Sequence, residues 1–150
     1  RCVLAVVTGP FMLVELIADL SRRSEGLPVF LMESVNDSLS HIAAADLVIS
    51  MAGYNTTVEI LRMKKPAILI PRAGPSAEQR TRARLFAEKR WVDMIDPDEV
   101  TPEKLAQRIS DHLSHPFESN PNEIPNLEGA AGAAKLTLSA LASKNEQIPT

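Results

Sequence analysis

Residues Met51 to Leu61 read MAGYNTTVEIL, with a glycine, an asparagine, two threonines and one acid between Gly53 and Glu59. An apolar run, DLVIS (Asp46 to Ser50), precedes them. A strand thus hands over to a helix through a small, polar corner. Gly53 permits a close approach of the backbone to another group, or a positive φ. Asn55 and Thr56 are good helix caps. The helix N-terminus behind them presents free N–H groups and the positive end of its dipole, which together suit an anion, and phosphate best. The hydroxyls of Thr56 and Thr57 can add donors. The same residues also fit a well-capped helix with nothing bound. Glu59 has two readings as well. Thr56-x-x-Glu59 has the spacing of a capping box, and a carboxylate one turn from a phosphate site can accept from sugar hydroxyls.

A second corner, PRAGPSAEQRTRA, runs from Pro71 to Ala83 and is long for a connection between a strand and a helix. Glu78 and Gln79 open its helix. They are either ligand-facing groups or an exposed first turn in which Glu78 and Arg82 form an i,i+4 ion pair.

These corners are positioned by an alternation of strands and helices. CVLAVVT (Cys2 to Thr8) is a continuous apolar run of the kind found in buried parallel strands. FMLVELIADLSRR follows with a helical apolar face. PVFLM (Pro28 to Met32), DLVIS, PAILI (Pro66 to Ile70) and WVDMI (Trp91 to Ile95) are the other four strand-like runs. Helices are expected at Asn36 to Ala44, Thr56 to Met63, Ala77 to Arg90, from Thr101 (as cap) onward, and at Gly129 to Ser143. The pattern predicts a three-layer, Rossmann-like α/β fold around a mostly parallel sheet covered on both faces. In such sheets ligands sit beyond the carboxyl ends of the strands, where both corners lie.

The 150 residues suit one domain, and 45% hydrophobic with 23% charged residues is ordinary for a globular chain. A net charge of -3 gives no basic field for nucleic acid. One cysteine, Cys2, excludes an internal disulfide framework and permits a reducing compartment. No apolar run reaches the roughly 18 residues of a membrane span, and signal-peptide anatomy is lacking. His41, His112 and His115 lack metal-ligand spacing. GAAGAAK (Gly129 to Lys135) lacks the Gly-Lys-Ser/Thr ending of a P-loop. RTRAR (Arg80 to Arg84) lacks the interleaved aromatics of a nucleic-acid platform, and Trp91 fits the core.

GYNTTVEIL, then KPAILIP, then AEQRTRA, taken together, resemble the nucleotide-sugar-binding half of two-domain GT-B glycosyltransferases. The branch is the one holding the peptidoglycan N-acetylglucosaminyltransferase and the UDP-glycosyltransferases. The chain looks closest to bacterial members with a GYNT corner. The clear match covers about Ala45 to Pro102. The resemblance implies that residues 1–150 are a donor-binding domain cut from a longer, cytoplasmic protein, lacking its first strand and its N-terminal acceptor domain. A linker-like segment, 115–128, precedes the last helix. The resemblance places the donor diphosphate on Gly53, Tyr54, Asn55, Thr56 and Thr57, the ribose on Glu59, the donor sugar on Glu78 and Gln79, and the uracil at Val35. Met51 stands where many members carry His or Arg, so the missing charge is expected from elsewhere, with Arg72 as the candidate.

The implied activity is hexosyl transfer from a UDP-sugar with inversion, with no metal or other cofactor and with the general base in the absent domain. The fragment alone is expected to be inactive. Partners are the nucleotide sugar and the acceptor domain, not nucleic acid; nothing indicates membrane association. The alternatives are a non-hydrolysing UDP-sugar epimerase and a non-catalytic nucleotide-binding module.

Overall fold

A computed structural model describes residues 2–74, 77–115, 125 and 127–145, with only the backbone of 143–145. The chain divides into two units, residues 1–41 and 42–150.

In the first unit, β1 (Leu4–Val7) and β2 (Val29–Met32) pair in parallel, Leu4 beside Val29 and Val7 beside Met32. The parallel pairing needs a crossover, and α1 (Val14–Ser24) supplies it. The expectation of a buried first strand does not hold. None of the described residues of this unit is buried, and Phe11 is 96% exposed. Two strands and one helix have too few faces to enclose a core.

From the end of this unit, α2 (Ser38–Ala44) runs into the second. There β3 (Val48–Ser50), β4 (Ala67–Leu69) and β5 (Asp93–Met94) form a parallel sheet in that order, Ile49 beside Ile68 and Leu69 beside Met94. The fold is therefore α/β with parallel strands, as expected. The strands lie in two small sheets, one of two strands and one of three, rather than in one. β1 and β3 each form an edge of their own sheet.

The core of the second unit surrounds β4. Ala67, Ile68 and Leu69 are all fully buried, which matches the all-apolar run of a central parallel strand. Ile60 and Leu61 of α3 (Tyr54–Arg62), Ala83 of α4 (Ala77–Glu88), Val92 and Ile95 beside β5, and Ile42 and Ala52 are buried with it. Trp91 packs edge-on against Phe86, ring centroids 5.1 Å apart, at the margin of this core.

Both α3 and α4 stop in the same way. The amide of Lys65 donates to Ile60 and that of Lys64 to Leu61; the amide of Trp91 donates to Phe86 and that of Arg90 to Ala87. These are paired Schellman closures. The left-handed residues that close them are Lys64 (φ 52°) and Arg90 (φ 55°) rather than glycine.

Helix α5 (Pro102–Ser114) begins as its residues dictate: Thr101 Oγ1 accepts from the Lys104 amide at 3.1 Å and Pro102 takes the first position. Its Arg108 and His112 both reach Asp93 Oδ2, at 3.1 Å each, and tie α5 to β5. The last helix, α6 (Gly129–Asn145), starts at the GAAGAAK run. The linker-like segment 115–128 lies largely outside the described residues.

Candidate functional site

The corner between β3 and α3 is built one residue at a time. Met51 is exposed. Ala52 is fully buried with φ 62°, so the positive φ, one of the two roles expected of Gly53, falls on Ala52 instead. Gly53 itself is extended (φ −60°, ψ 142°) and is the residue from which α3 starts. A Cβ placed on Gly53 would meet no atom within 4 Å. Its small size therefore leaves open space beside the helix N-terminus and is not required by its own backbone.

Starting the helix at Gly53 corrects three expectations. Asn55 and Thr56 are not caps; they lie inside the first turn, because the Gly53 carbonyl already accepts from the Thr57 amide at 2.9 Å. The capping box at Thr56-x-x-Glu59 does not form, since Thr56 is a helical residue and Glu59 falls in the second turn. The Thr57 hydroxyl is not free for a phosphate: it is fully buried and donates to the Gly53 carbonyl at 2.7 Å. Two donors from Thr57 thus converge on one carbonyl and tighten the corner. Helix geometry leaves the amides of Tyr54, Asn55 and Thr56 without an intrahelical acceptor, and no side chain caps them from Gly53.

The second corner leads into α4; its positions 75–76 lie outside the described residues. Gln79 Oε1 accepts from the Arg72 amide at 3.1 Å, which fastens the first turn of α4 to the chain leaving β4. Glu78 forms the expected i,i+4 pair with Arg82. Arg82 also does what no local spacing signals. Its Nη1 donates to the carbonyl of Ala52 at 2.7 Å, and its Cζ lies 5.5 Å from the centre of the Tyr54 ring. The structure therefore brings Tyr54, Ala52, Arg82 and Glu78 together. Arg72 is exposed, Glu59 is half-buried on α3, and Val35 is half-buried in the loop after β2, in the first unit.

The remaining polar groups hold the frame. Arg80, one turn before Arg84 in the basic run, bridges Asp96 at 3.0 Å and Asp98 at 2.9 Å. His41 Nδ1 lies 2.8 Å from the Asp37 carbonyl, and His112 is bound to Asp93. Among the described residues, no group of three or more His, Cys, Asp or Glu side chains could hold a metal ion.

Comparison with known proteins bears on this geometry. The sequence profile described as "Glycosyltransferase family 28 C-terminal domain" matches residues 7–137. A Myxococcus xanthus protein named UDP-N-acetylglucosamine--N-acetylmuramyl-(pentapeptide) pyrophosphoryl-undecaprenol N-acetylglucosamine transferase is 36% identical over 109 residues, 72% of this chain and 27% of its own. A Geobacter sp. protein of the same name is 28% identical over 131 residues, 83% of this chain and 34% of its own. The crystal structure of Acinetobacter baumannii MurG superposes with a TM-score of 0.66 at 21% identity, covering 85% of this chain and 38% of that one. The chain thus spans about a third or less of the length of such curated relatives. With a profile match across most of its residues and parallel strands in the same fold, this chain belongs to the glycosyltransferase family 28 C-terminal domain family.

Proposed function

We propose that the intact protein is a glycosyltransferase that moves a hexosyl group from a UDP-sugar to an acceptor with inversion, and that this chain is its donor-binding half. The observation that carries the reading is the α3 N-terminus. Its first three amides have no intrahelical acceptor, a Cβ on Gly53 next to them would meet no atom, and α4 is bound to the same corner through Arg82 and Ala52. The relatives' name supports the donor class, since it specifies UDP-N-acetylglucosamine. The relatives do not favour the epimerase alternative.

In this reading the leaving diphosphate sits on the amides of Tyr54, Asn55 and Thr56, where the helix dipole stabilises the charge that develops as the glycosidic bond breaks. Thr57 contributes the tightness of the corner. Glu59 accepts from the ribose hydroxyls, and Glu78 and Gln79 hold the donor sugar; the proposed uracil contact, the backbone at Val35, belongs to the first unit. Arg72 adds a cation in place of the one Met51 lacks. No metal is needed, because the amides and dipole already meet the anion. The general base comes from an acceptor domain outside this chain, so the 150 residues alone turn nothing over. A strand preceding Leu4 would pair with the open edge of β1.

The cytoplasm is the proposed compartment, given a single exposed cysteine and a nucleotide-sugar donor. Among the described residues no helix is long and apolar enough to cross a membrane.

Titration of the full-length protein with UDP, followed by product analysis with a panel of UDP-sugars and acceptors, tests the reading. Binding of UDP and transfer to an acceptor are expected. An isomerised UDP-sugar formed without acceptor would make the protein an epimerase. UDP binding with no turnover across the panel would leave a binding module.

A further inference from the structure

One guanidinium, that of Arg82, is shared by both corners. It is largely buried, with 14% of its side chain exposed. Nη1 donates to the Ala52 carbonyl, Nη2 to Glu78, and Cζ lies over the Tyr54 ring, 5.5 Å from its centre. Ala52 is in the left-handed region, which an L-residue avoids because its Cβ crowds the following carbonyl. Such a conformation persists when its surroundings over-determine it. Burial of the Ala52 methyl and the hydrogen bond from Arg82 to its carbonyl do so here. Thirty positions separate the two residues, so the contact joins the β3–α3 corner to α4.

We propose that Arg82 is a positioning residue for donor binding. It holds Ala52 left-handed and so aims the amides of Tyr54, Asn55 and Thr56. The same group orients Glu78, so the diphosphate and sugar ends of the site keep one geometry. The proposal rests on the donor-site reading above. A planar fork with several donors is required to serve three partners in different directions; a lysine ammonium on its flexible stem cannot replace it.

The test uses full-length protein: wild type, Arg82→Lys, Arg82→Ala and, as a control for stability alone, Ile68→Val in the core. Three quantities are measured: affinity for UDP by titration calorimetry, the melting temperature, and amide hydrogen exchange at Thr57, Val58 and, as a core reference, Ile70. Arg82→Lys is expected to bind UDP about tenfold more weakly and to exchange faster at Thr57. Ile68→Val is expected to lower the melting temperature with UDP affinity unchanged, and to quicken exchange at Thr57 no more than at the core amide of Ile70. Wild-type affinity and exchange in Arg82→Lys would overturn the proposal. An equal affinity loss in Ile68→Val would also overturn it, because the effect would then be general stability. Should Arg82→Ala fail to fold, Arg82→Lys decides. If wild type binds no UDP, the donor-site reading falls by itself, and exchange at Thr57 still decides whether Arg82 sets the corner.

Discussion

The hydroxyl of Thr57 donates to the carbonyl of Gly53 at 2.7 Å, and the amide of the same threonine donates to the same oxygen at 2.9 Å. These two hydrogen bonds to one oxygen close the first turn of α3, and the three amides before Thr57 have no intrahelical acceptor. It also frees Gly53 from any structural need to be glycine, since its backbone is extended and its missing side chain would touch nothing.

Gly53→Ala should therefore fold. The loss of a preferred residue at a helix start is roughly offset by the reduced entropy of the unfolded chain, for a net change within about 1 kcal/mol. Affinity of the full-length protein for UDP should fall, because the new methyl occupies the space beside the orphan amides. Calorimetric titration and a melting curve check both halves. Unchanged affinity would remove the diphosphate from this corner.

Glu59→Ala should weaken UDP binding at least about tenfold, since a hydrogen bond to a charged acceptor is worth about 1.5–3 kcal/mol. Glu59 is not part of a capping box, so its removal should not cost the stability of a helix cap. Titration of UDP against the variant gives the answer, and equal affinity would withdraw the ribose from Glu59.

Lys64→Gly should raise the melting temperature. Lys64 closes α3 with φ 52°, a conformation that costs an L-residue about 1–2 kcal/mol and glycine almost nothing. Part of the gain returns as glycine's greater unfolded entropy, so a stabilisation of about 0.5–1 kcal/mol is expected. Arg90→Gly at the end of α4 should behave alike. A lowered melting temperature in both would contradict the strain account.

The start of α2 should weaken in acid. Asp37 Oδ2 accepts from the Ser40 hydroxyl and Oδ1 from the Ser40 amide at 3.0 Å, and these bonds, the hydroxyl's foremost, hold its carboxyl below the usual value of 3.8. A depressed carboxyl pKa stabilises the fold above the unfolded value and loses that contribution as pH falls through the folded one. Amide exchange at Ser40 and His41 should be slower in wild type than in Asp37→Asn at neutral pH. The difference should vanish below the folded pKa of Asp37. A difference that persists there would exclude the charge as its source.

Chelation should leave transfer by the full-length enzyme unchanged. If the diphosphate rests on amides and a helix dipole, excess EDTA removes nothing the reaction uses. Loss of activity on chelation, restored by a divalent cation, would overturn the metal-free reading.

Local chemistry made much of this legible. Thr101-Pro102 announced the start of α5, and the apolar runs announced every strand, because caps and buried strands depend on neighbouring residues. The start of α3 was misplaced because the left-handed turn falls on Ala52, a residue with no turn signature. Glu78–Arg82 was visible as an i,i+4 pair, whereas Arg82 to Ala52 was not, since periodicity carries no information about contacts thirty residues apart. CVLAVVT signalled an apolar strand correctly. Whether it is buried depends on what lies against it, which an apolar run cannot specify.

The fully buried β4 sits between the two segments that carry the corners: α3 ends just before it and α4 begins just after it, and both place residues in its core. Melting the core is thus expected to open the corner with it. A nucleotide held at Gly53 to Thr56 would accordingly be felt as protection throughout the second unit. At a concentration one hundred times its dissociation constant it adds about 2.7 kcal/mol to that unit's stability, so a thermal shift observed on any probe near β4 reports occupancy of a site on the surface.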